Sequence, residues 1–528
     1  MNRLFFLSQS PPRILNSLNN PPLTSLNLLH WIFTHPISRS VDYGHRFRSG
    51  RGIRSQHAES ATSHLVAELM SPSQRPGSAR GENLVLDDEN VPTASSVYVH
   101  IPFCRRRCFY CDFPIVAVGE RTDTNKAHMD AGMTDYVDLV CREIRLAAKV
   151  NSSKPLQTVF FGGGTPSLLP PPLLLRIIDT LHEHFGIDSG AEISMEMDPG
   201  TFDVHSLRQL MDGGLSRVSM GVQSFQGALL ESCGRSHGLS EVYEAIEAIH
   251  ASGLNNWSLD LISSLPHQSL QDWEHSINEA VKASPAHVSV YDLQIEEGTL
   301  FNKWYKPGQS PLPSDDNAAE FYRMASAKLQ DAGFAHYEIS NYAKEGFQCR
   351  HNLVYWNNLP YFAFGLGSTS YIGGRRFSRP RKFKQYREFV EQFESSGGVI
   401  ECPQDSTEDR ALDVIMLSLR LARGLDIQAF SQRFGAGLST LVCKALLPFV
   451  SSGHVVFLNA DGDILDTEVI KALVQDSRVF GLSRLSYVRL TDPNGFLLSN
   501  EVIASIFSAL PSGENSQYRA CLCNLVDY

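Results

Sequence analysis

Three cysteines fall within eight residues of one another. They are Cys104, Cys108 and Cys111, in the run Ser-Val-Tyr-Val-His-Ile-Pro-Phe-Cys-Arg-Arg-Arg-Cys-Phe-Tyr-Cys-Asp-Phe. Their C-x3-C-x2-C spacing constrains the chain more than any other feature. The apolar stretch before them reads as a β-strand, which puts the cysteines on the loop that follows it. Three thiolates leave one iron of a [4Fe–4S] cube without a protein ligand. That open iron takes a small molecule, and S-adenosylmethionine (SAM), bound through its amino and carboxylate groups, is the candidate. Zinc is the alternative, but a structural zinc site wants four ligands, usually in paired C-x2-C elements, and no second pair lies near. Clustered thiolates in this pattern favour iron and sulfide.

The chain has 528 residues, enough for about two or three domains. With 42% apolar and 20% charged residues it can bury a large core. A formal net charge of −11 argues against general nucleic-acid binding, which needs a basic surface. The ten cysteines are otherwise scattered, so this is no secreted disulfide framework, and thiols that ligate iron need a reducing compartment. No uninterrupted apolar stretch reaches about 18 residues, so no transmembrane segment is expected. Peripheral membrane contact stays compatible with the sequence.

The amino-terminal segment differs from the rest. Acidic residues are absent before Asp42, and the basic ones are all arginines: Arg3, Arg13, Arg39, Arg46, Arg48, Arg51 and Arg54. Residues 1–54 therefore read as an organellar transit peptide, with the mitochondrion favoured over the chloroplast by arginine content and amphipathic segments. Residues 55–95, rich in Ser, Gly, Pro and Glu, read as a linker.

From residue 96 to 335 a strand-and-helix rhythm sets in. Val97–Pro102, Thr158–Phe161, Glu192–Met197, Arg217–Val222, Trp257–Ile262 and His287–Leu293 read as strands. Thr134–Lys149, Pro171–Phe185, Val204–Gly213, Ser240–Ala251, Leu270–Ala283 and Asp315–Ala332 read as helices between and after them. Such repeats give a parallel sheet with right-handed crossovers, here an α/β partial barrel of the (β/α)6 type. Ligands in such barrels sit at the carboxyl ends of the strands, where the three cysteines fall. The second strand ends in Gly162-Gly163-Gly164-Thr165-Pro166, whose missing side chains let backbone groups approach a ligand. The run lacks the Lys-Ser/Thr of a P-loop and does not match G-x-G-x-x-G. A tight turn without a ligand is the alternative to contact with the amino-acid part of SAM. Glu196, Gln223 and Asp260 lie at or near later strand ends. Arg235 is placed either to pair with a ligand carboxylate or as a solvated surface residue.

These segments, together with Ser-Met-Gly-Val-Gln-Ser-Phe at Ser219–Phe225 and Leu-Asp-Leu-Ile-Ser-Ser-Leu-Pro at Leu259–Pro266, resemble radical SAM proteins. More narrowly the chain resembles the family of the oxygen-independent coproporphyrinogen III oxidase, from about residue 97 to 510. The true oxidase has a further cysteine two positions after the third cluster cysteine; here Phe113 stands there. That departure, and the match of His351-Asn352-Leu353-Val354-Tyr355-Trp356 to H-N-x-x-Y-W, resembles the HemW branch, the heme chaperones. The resemblance implies a [4Fe–4S] cluster, SAM, heme as cargo, and heme-accepting proteins as partners, with a homodimer compatible. It places Tyr98, Tyr110, Gly163 and Glu196 at positions that contact SAM in the oxidase. Gly164, Thr165, Gln223, Arg235, Asp260 and Gln294 fall on others, some belonging there to a second SAM. No catalytic residue is implied, and a chaperone is expected rather than an enzyme. The alternative is the oxidase itself, an oxidative decarboxylase of heme biosynthesis.

His351 is the candidate heme ligand, with Tyr355 and Trp356 flanking a porphyrin; the alternative is that this segment packs a loop against the barrel. Cys402-Pro403 resembles a short heme-responsive element, while Cys349, Cys521 and Cys523 have no readable spacing. Residues 336–405 read as a connecting region. Residues 406–528 read as a small, mostly helical C-terminal domain. Its expected helices are Glu408–Ala422, Asp426–Phe434, Leu438–Ser451 and Ser499–Leu510, the last capped by Ser499, with strands Gly453–Leu458 and Val488–Leu490. This pattern is winged-helix-like, yet the acidic balance speaks against DNA and favours a substrate-covering or heme-handling module.

Overall fold

The computed structural model describes residues 93–510, apart from 121, 123, 124, 152, 153, 401–404 and 476–483. The leader, nearly all of the linker, Cys402-Pro403, Cys521 and Cys523 lie outside the described residues.

The strand-and-helix rhythm unfolds in chain order. β1 (Ser96–Ile101) is followed by a parallel pair of two-residue strands, β2 (Phe103–Cys104) and β3 (Val116–Ala117), that brackets the cysteine loop. Then come α1 (Lys126–Val150), β4 (Leu156–Gly163), α2 (Pro171–Phe185), β5 (Ile187–Met197) and α3 (Val204–Asp212). β6 (Arg217–Gln223), α4 (Gly227–Ser232), α5 (Leu239–Ser252), β7 (Trp257–Ser263), α6 (Leu270–Lys282) and β8 (His287–Asp292) complete the arc. β1, β4, β5, β6, β7 and β8 are neighbours in that order, all parallel, as the (β/α)6 expectation required.

Side-chain alternation explains the two faces. Val97, Val99, Val159, Phe161, Ile193, Met195, Val218, Met220, Leu259 and Val288 join one apolar core with helix residues such as Ile177, Leu181, Ile249 and Ile277. Each fully buried side chain of this kind contributes roughly 1.5–3 kcal/mol. The residues one step out of phase are polar and equally buried: Thr158, Glu192, Ser194, Arg217, Ser219, Ser258, Asp260, His287 and Ser289. The period of two thus sends oil outward to the helices and polar groups into the lumen. Helix starts are fixed locally. Asp203 accepts from Ser206 N at 2.7 Å and Ser269 from Asp272 N at 3.1 Å, caps worth about 1 kcal/mol each.

Residues 336–405 are more than a connector. After α7 (Leu300–Trp304) and α8 (Asp315–Asp331), β9 (Ala335–Glu338) and β10 (Asn341–Ala343) add an antiparallel hairpin beside β8. α9 (Arg350–Trp356) leads into β11 (Phe362–Phe364), which pairs in parallel with the other free edge, at β1. The sheet therefore has nine strands, in the order β11-β1-β4-β5-β6-β7-β8-β10-β9. Both flanks of the parallel arc are covered by short strands, a usual way to blunt an edge. A hairpin of β12 (Thr369–Ile372) and β13 (Arg375–Ser378) precedes α10 (Phe383–Ser395), which packs on α1. There the buried Glu143 accepts from Arg379 Nε at 2.7 Å and from the Tyr386 hydroxyl at 2.6 Å.

The C-terminal part contains α11 (Thr407–Ser418), β14 (Leu425–Asp426), α12 (Ile427–Phe434), α13 (Ala436–Ser451) and β15 (Val455–Leu458). α14 (Thr467–Gln475), β16 (Tyr487–Leu490), α15 (Asn494–Leu497) and α16 (Ser499–Ala509) follow. Its three strands form an antiparallel sheet, β14-β16-β15, around a second core that includes Ile415, Phe430, Leu446, Phe457 and Ile506. Ser499 is not the cap of the last helix. Leu498 holds the N-cap position, and Ser499 is the first helical residue, its hydroxyl buried without a partner. Among the described residues, no helix is long and apolar enough to cross a membrane.

Candidate functional site

A cavity opens at the carboxyl ends of the parallel strands. Cys104, Cys108, Tyr110, Cys111 and Phe113 line it from the cysteine loop, and Gly163, Gly164 and Thr165 from the end of β4. β5 and the turn after it supply Glu196, Met197 and Asp198; β6 supplies Ser219, Gly221 and Gln223. Arg235, Ser236, Asp260, Ile262 and Tyr291 close the far wall.

The cysteine loop is pinned to the barrel by backbone bonds. Val116 N donates to Pro102 O at 2.8 Å and Val118 N to Cys104 O at 2.9 Å. Gly164 N donates to Ile101 O at 2.8 Å and Thr165 N to Phe103 O at 2.7 Å. The glycines are required sterically. A Cβ on Gly164 would lie 2.7 Å from backbone atoms of Pro102 and Phe103. Gly163 has φ +118°, and its Cβ would lie 2.4 Å from the His100 ring. Its N–H donates to Glu196 Oε2 at 2.9 Å.

All three thiols of the loop face this cavity. Burial, and then the neighbouring thiols Cys111 and Cys108, push the Cys104 thiol well up. Burial and Cys108 push Cys111 up to about 12. Three crowded, half-buried thiols ionise together only when a cation balances them, which is what a metal cluster supplies. Among the described residues no group of His, Cys, Asp or Glu is drawn together as a closed single-ion site. Three cysteine donors from one loop at the cavity wall are the donor set of a cluster that leaves one iron for a small ligand.

Arg235 is not a free guanidinium waiting for a ligand carboxylate. It is buried, forms an ion pair with Asp198, and donates to Gly221 O at 3.0 Å. Its other nitrogen reaches Cys108 Sγ at 3.4 Å and the Tyr110 hydroxyl at 3.2 Å. Burial pushes Asp198 up, but Arg235 and His237 outweigh it and hold the carboxyl at about 2. Glu196 and Asp260 go the other way, raised chiefly by burial. Asp260 accepts from Ser219 Oγ and from Ser258 Oγ, both at 3.0 Å. Gln223 Oε1 is buried without a partner. Two buried carboxyls and an orphaned amide oxygen suit a ligand that brings an ammonium group and hydroxyls. SAM carries both.

Two candidates lie elsewhere. Tyr98 is buried, its hydroxyl 3.1 Å from His100 Nδ1, and it braces the cavity from behind Gly162 without lining it. His351 is fully buried in α9 on the inner side of the sheet. Its Nδ1 lies 2.7 Å from Thr158 Oγ1, its Nε2 2.7 Å from the Tyr355 hydroxyl, and its ring stacks on Phe160. With both nitrogens engaged and burial holding the ring neutral, His351 offers heme iron no open lone pair. The H-N-x-x-Y-W segment thus packs against the barrel strand β4, with His351 turned to Thr158, Phe160 and Tyr355. Gln294 is buried beyond β8, away from the cavity lining. Conversely, Asp198, Ser219 and Tyr291 line the site without having been singled out. Ser219 and Tyr291 were accessible by counting in twos from neighbouring inward residues.

Residues 98–280 match the family described as the Radical SAM superfamily, and residues 405–464 match the HemN C-terminal domain. The chain is 42% identical over 423 residues to the Heme chaperone HemW of Synechocystis, covering 80% of this chain and 97% of that protein. The chain belongs to the HemW family. The Bacillus subtilis HemW is 33% identical over 387 residues, 72% of this chain and 99% of the relative. Among solved structures, the HemN coproporphyrinogen III oxidase from Escherichia coli superposes with a TM-score of 0.63 at 20% identity. The match spans 79% of this chain and 91% of the oxidase, so HemW and HemN share a fold.

Proposed function

We propose that this protein is a heme chaperone that takes up heme and passes it to hemoproteins, built on a core that holds a [4Fe–4S] cluster and SAM. Membership of the HemW family supports the reading. The observation that carries it against the oxidase alternative is Phe113, an aromatic ring lining the cavity at the position of the oxidase's extra cysteine. Cys104, Cys108 and Cys111 would anchor the cluster, and Gly163, Glu196 and Gln223 are placed to meet the amino-acid and hydroxyl groups of SAM. When bound, the cluster and SAM supply one-electron reductive chemistry; this chain's residues bind, orient and exclude water. Titrating anaerobically reconstituted protein with heme tests the reading, and the absence of a stoichiometric Soret change ends it. Multiple-turnover decarboxylation of coproporphyrinogen III with SAM and a reductant would establish the oxidase instead.

Cys108→Ala removes one of three anchors and is expected to abolish the absorbance near roughly 400 nm from thiolate–iron charge transfer. A triple-cysteine variant with full iron content would show that other residues hold the cluster. The arginine-only leader supports organellar import, with the mitochondrion as first destination. The identity to a cyanobacterial relative makes the plastid the destination to test beside it. A fluorescent fusion of residues 1–95 decides between them. The reading also includes a homodimer and peripheral membrane contact, checked by light scattering and liposome flotation.

A further inference from the structure

We propose that the exposed face of α7, formed by Leu300, Lys303 and Trp304 and backed by Phe109, is a docking shelf for a porphyrin dianion. The inference rests on the heme-uptake reading above and says where the cargo sits. Leu300 and Trp304 are four residues apart on a helix, so they share one face, with Lys303 beside them. They are 39% and 51% exposed, two large apolar side chains side by side at the surface. The opposite face is anchored: Phe301 is fully buried, and its N–H donates to Phe109 O at 3.0 Å.

The indole is held upright by aromatic neighbours. Its ring meets Phe109 edge-to-face at 5.0 Å and Tyr305 at 6.2 Å. Phe109 is itself wedged, since a Cβ on Gly234 would lie 2.7 Å from its ring. Phe109 sits between Cys108 and Tyr110, so the shelf is fastened directly to the loop that lines the cavity. A fixed, flat, half-exposed aromatic surface suits a stacked planar ring.

Charge selects the occupant. Lys303 and Lys306 are exposed at the carboxyl end of α7, while Glu297 is exposed before its amino end. A macrocycle stacked on Trp304 with its two propionates toward the lysines satisfies both features. A neutral apolar partner would have no use for the lysines. The arrangement also fits a chaperone's need to release what it binds, because the shelf covers one face of the guest and leaves the other open.

The test is a Soret titration of full-length, reconstituted protein with hemin and, separately, with metal-free protoporphyrin IX. Trp304→Ala is expected to weaken both by about tenfold or more, and Trp304→Phe by much less. Lys303→Glu with Lys306→Glu is expected to weaken hemin but not its dimethyl ester, and more so at low salt. Iron content should be unchanged, and thermal unfolding should be unchanged for the lysine variants and only slightly lowered for Trp304→Ala, whose indole packs on Phe109. If wild type binds hemin and these variants bind it equally well, the shelf is wrong while heme uptake stands. If wild type binds no hemin, both fall. If Trp304→Ala keeps its hemin affinity but loses transfer to an acceptor, the face belongs to a protein partner and the porphyrin assignment is overturned.

Discussion

Gly164→Ala tests whether the glycine run is dictated by the protein's own backbone. The added Cβ would sit 2.7 Å from Phe103 O and from Pro102 C and O. Comfortable carbon contacts begin at about 3.5 Å, so β4 and the start of the cysteine loop must part by about 0.8 Å. Two hydrogen bonds cross that gap, Gly164 N to Ile101 O at 2.8 Å and Thr165 N to Phe103 O at 2.7 Å. Stretching both costs about 1 kcal/mol each, and overpacking adds about 1–3 kcal/mol. A loss of about 3–5 kcal/mol is expected. Because Phe103 directly precedes Cys104, the shift should also lower iron and sulfide content after anaerobic reconstitution. Gly132→Ala is the control: its Cβ meets nothing within 4 Å, and in mid-helix it should stabilise by up to about 1 kcal/mol. Urea unfolding and iron analysis of the two variants are the assay. A Gly164→Ala protein within about 0.5 kcal/mol of wild type, with full iron, would refute the steric argument.

Burial pushes Glu338 up to about 8 from its ordinary 4.5. The folded state then holds more protons across that window, so stability should fall as pH rises through it, by on the order of 4 kcal/mol. Glu338→Gln should flatten the melting-temperature profile between pH 5 and 8.5, and an unchanged slope would contradict this. Arg235→Met strands the Asp198 carboxylate and should cost about 3–5 kcal/mol. It also removes a donor to Cys108 Sγ, so an EPR-monitored redox titration should find the cluster harder to reduce. His351→Phe should leave heme affinity intact while costing about 1–3 kcal/mol, since the Thr158 and Tyr355 hydroxyls lose their partner. A vanished Soret band in that variant would establish His351 as a ligand.

The barrel was legible because its outward residues are apolar at every second position, so each strand announced itself by period and length. The cavity lining was legible because in parallel sheets the strand ends carry it. Other parts leave no such trace. β9, β10 and β11 have three or four residues, too few for a period to show. α1 begins at Lys126, ahead of the expected Thr134, because Asp130 and Gly132 interrupt the helical signal in a stretch that is nonetheless helix. β5 reaches back to Ile187 through Asp-Ser-Gly, a polar, exposed run with no alternation to read. The ion pair of Arg235 joins residues 37 positions apart, and the partners of His351 come from two different elements. The contacts of Arg235 with Asp198 and of His351 with Thr158 depend on the closed fold and not on any local pattern.

α9 sits inside the arc, His351 against Phe160 and Thr158, while the cavity opens at the opposite, carboxyl ends of the strands. A flask stoppered at its base fills and empties through its neck. A small molecule held in this cavity would lie beside the cysteine loop, which borders it. Any broad guest resting across that loop would then double as a cork, making the residence time of the small molecule a reporter of the large one.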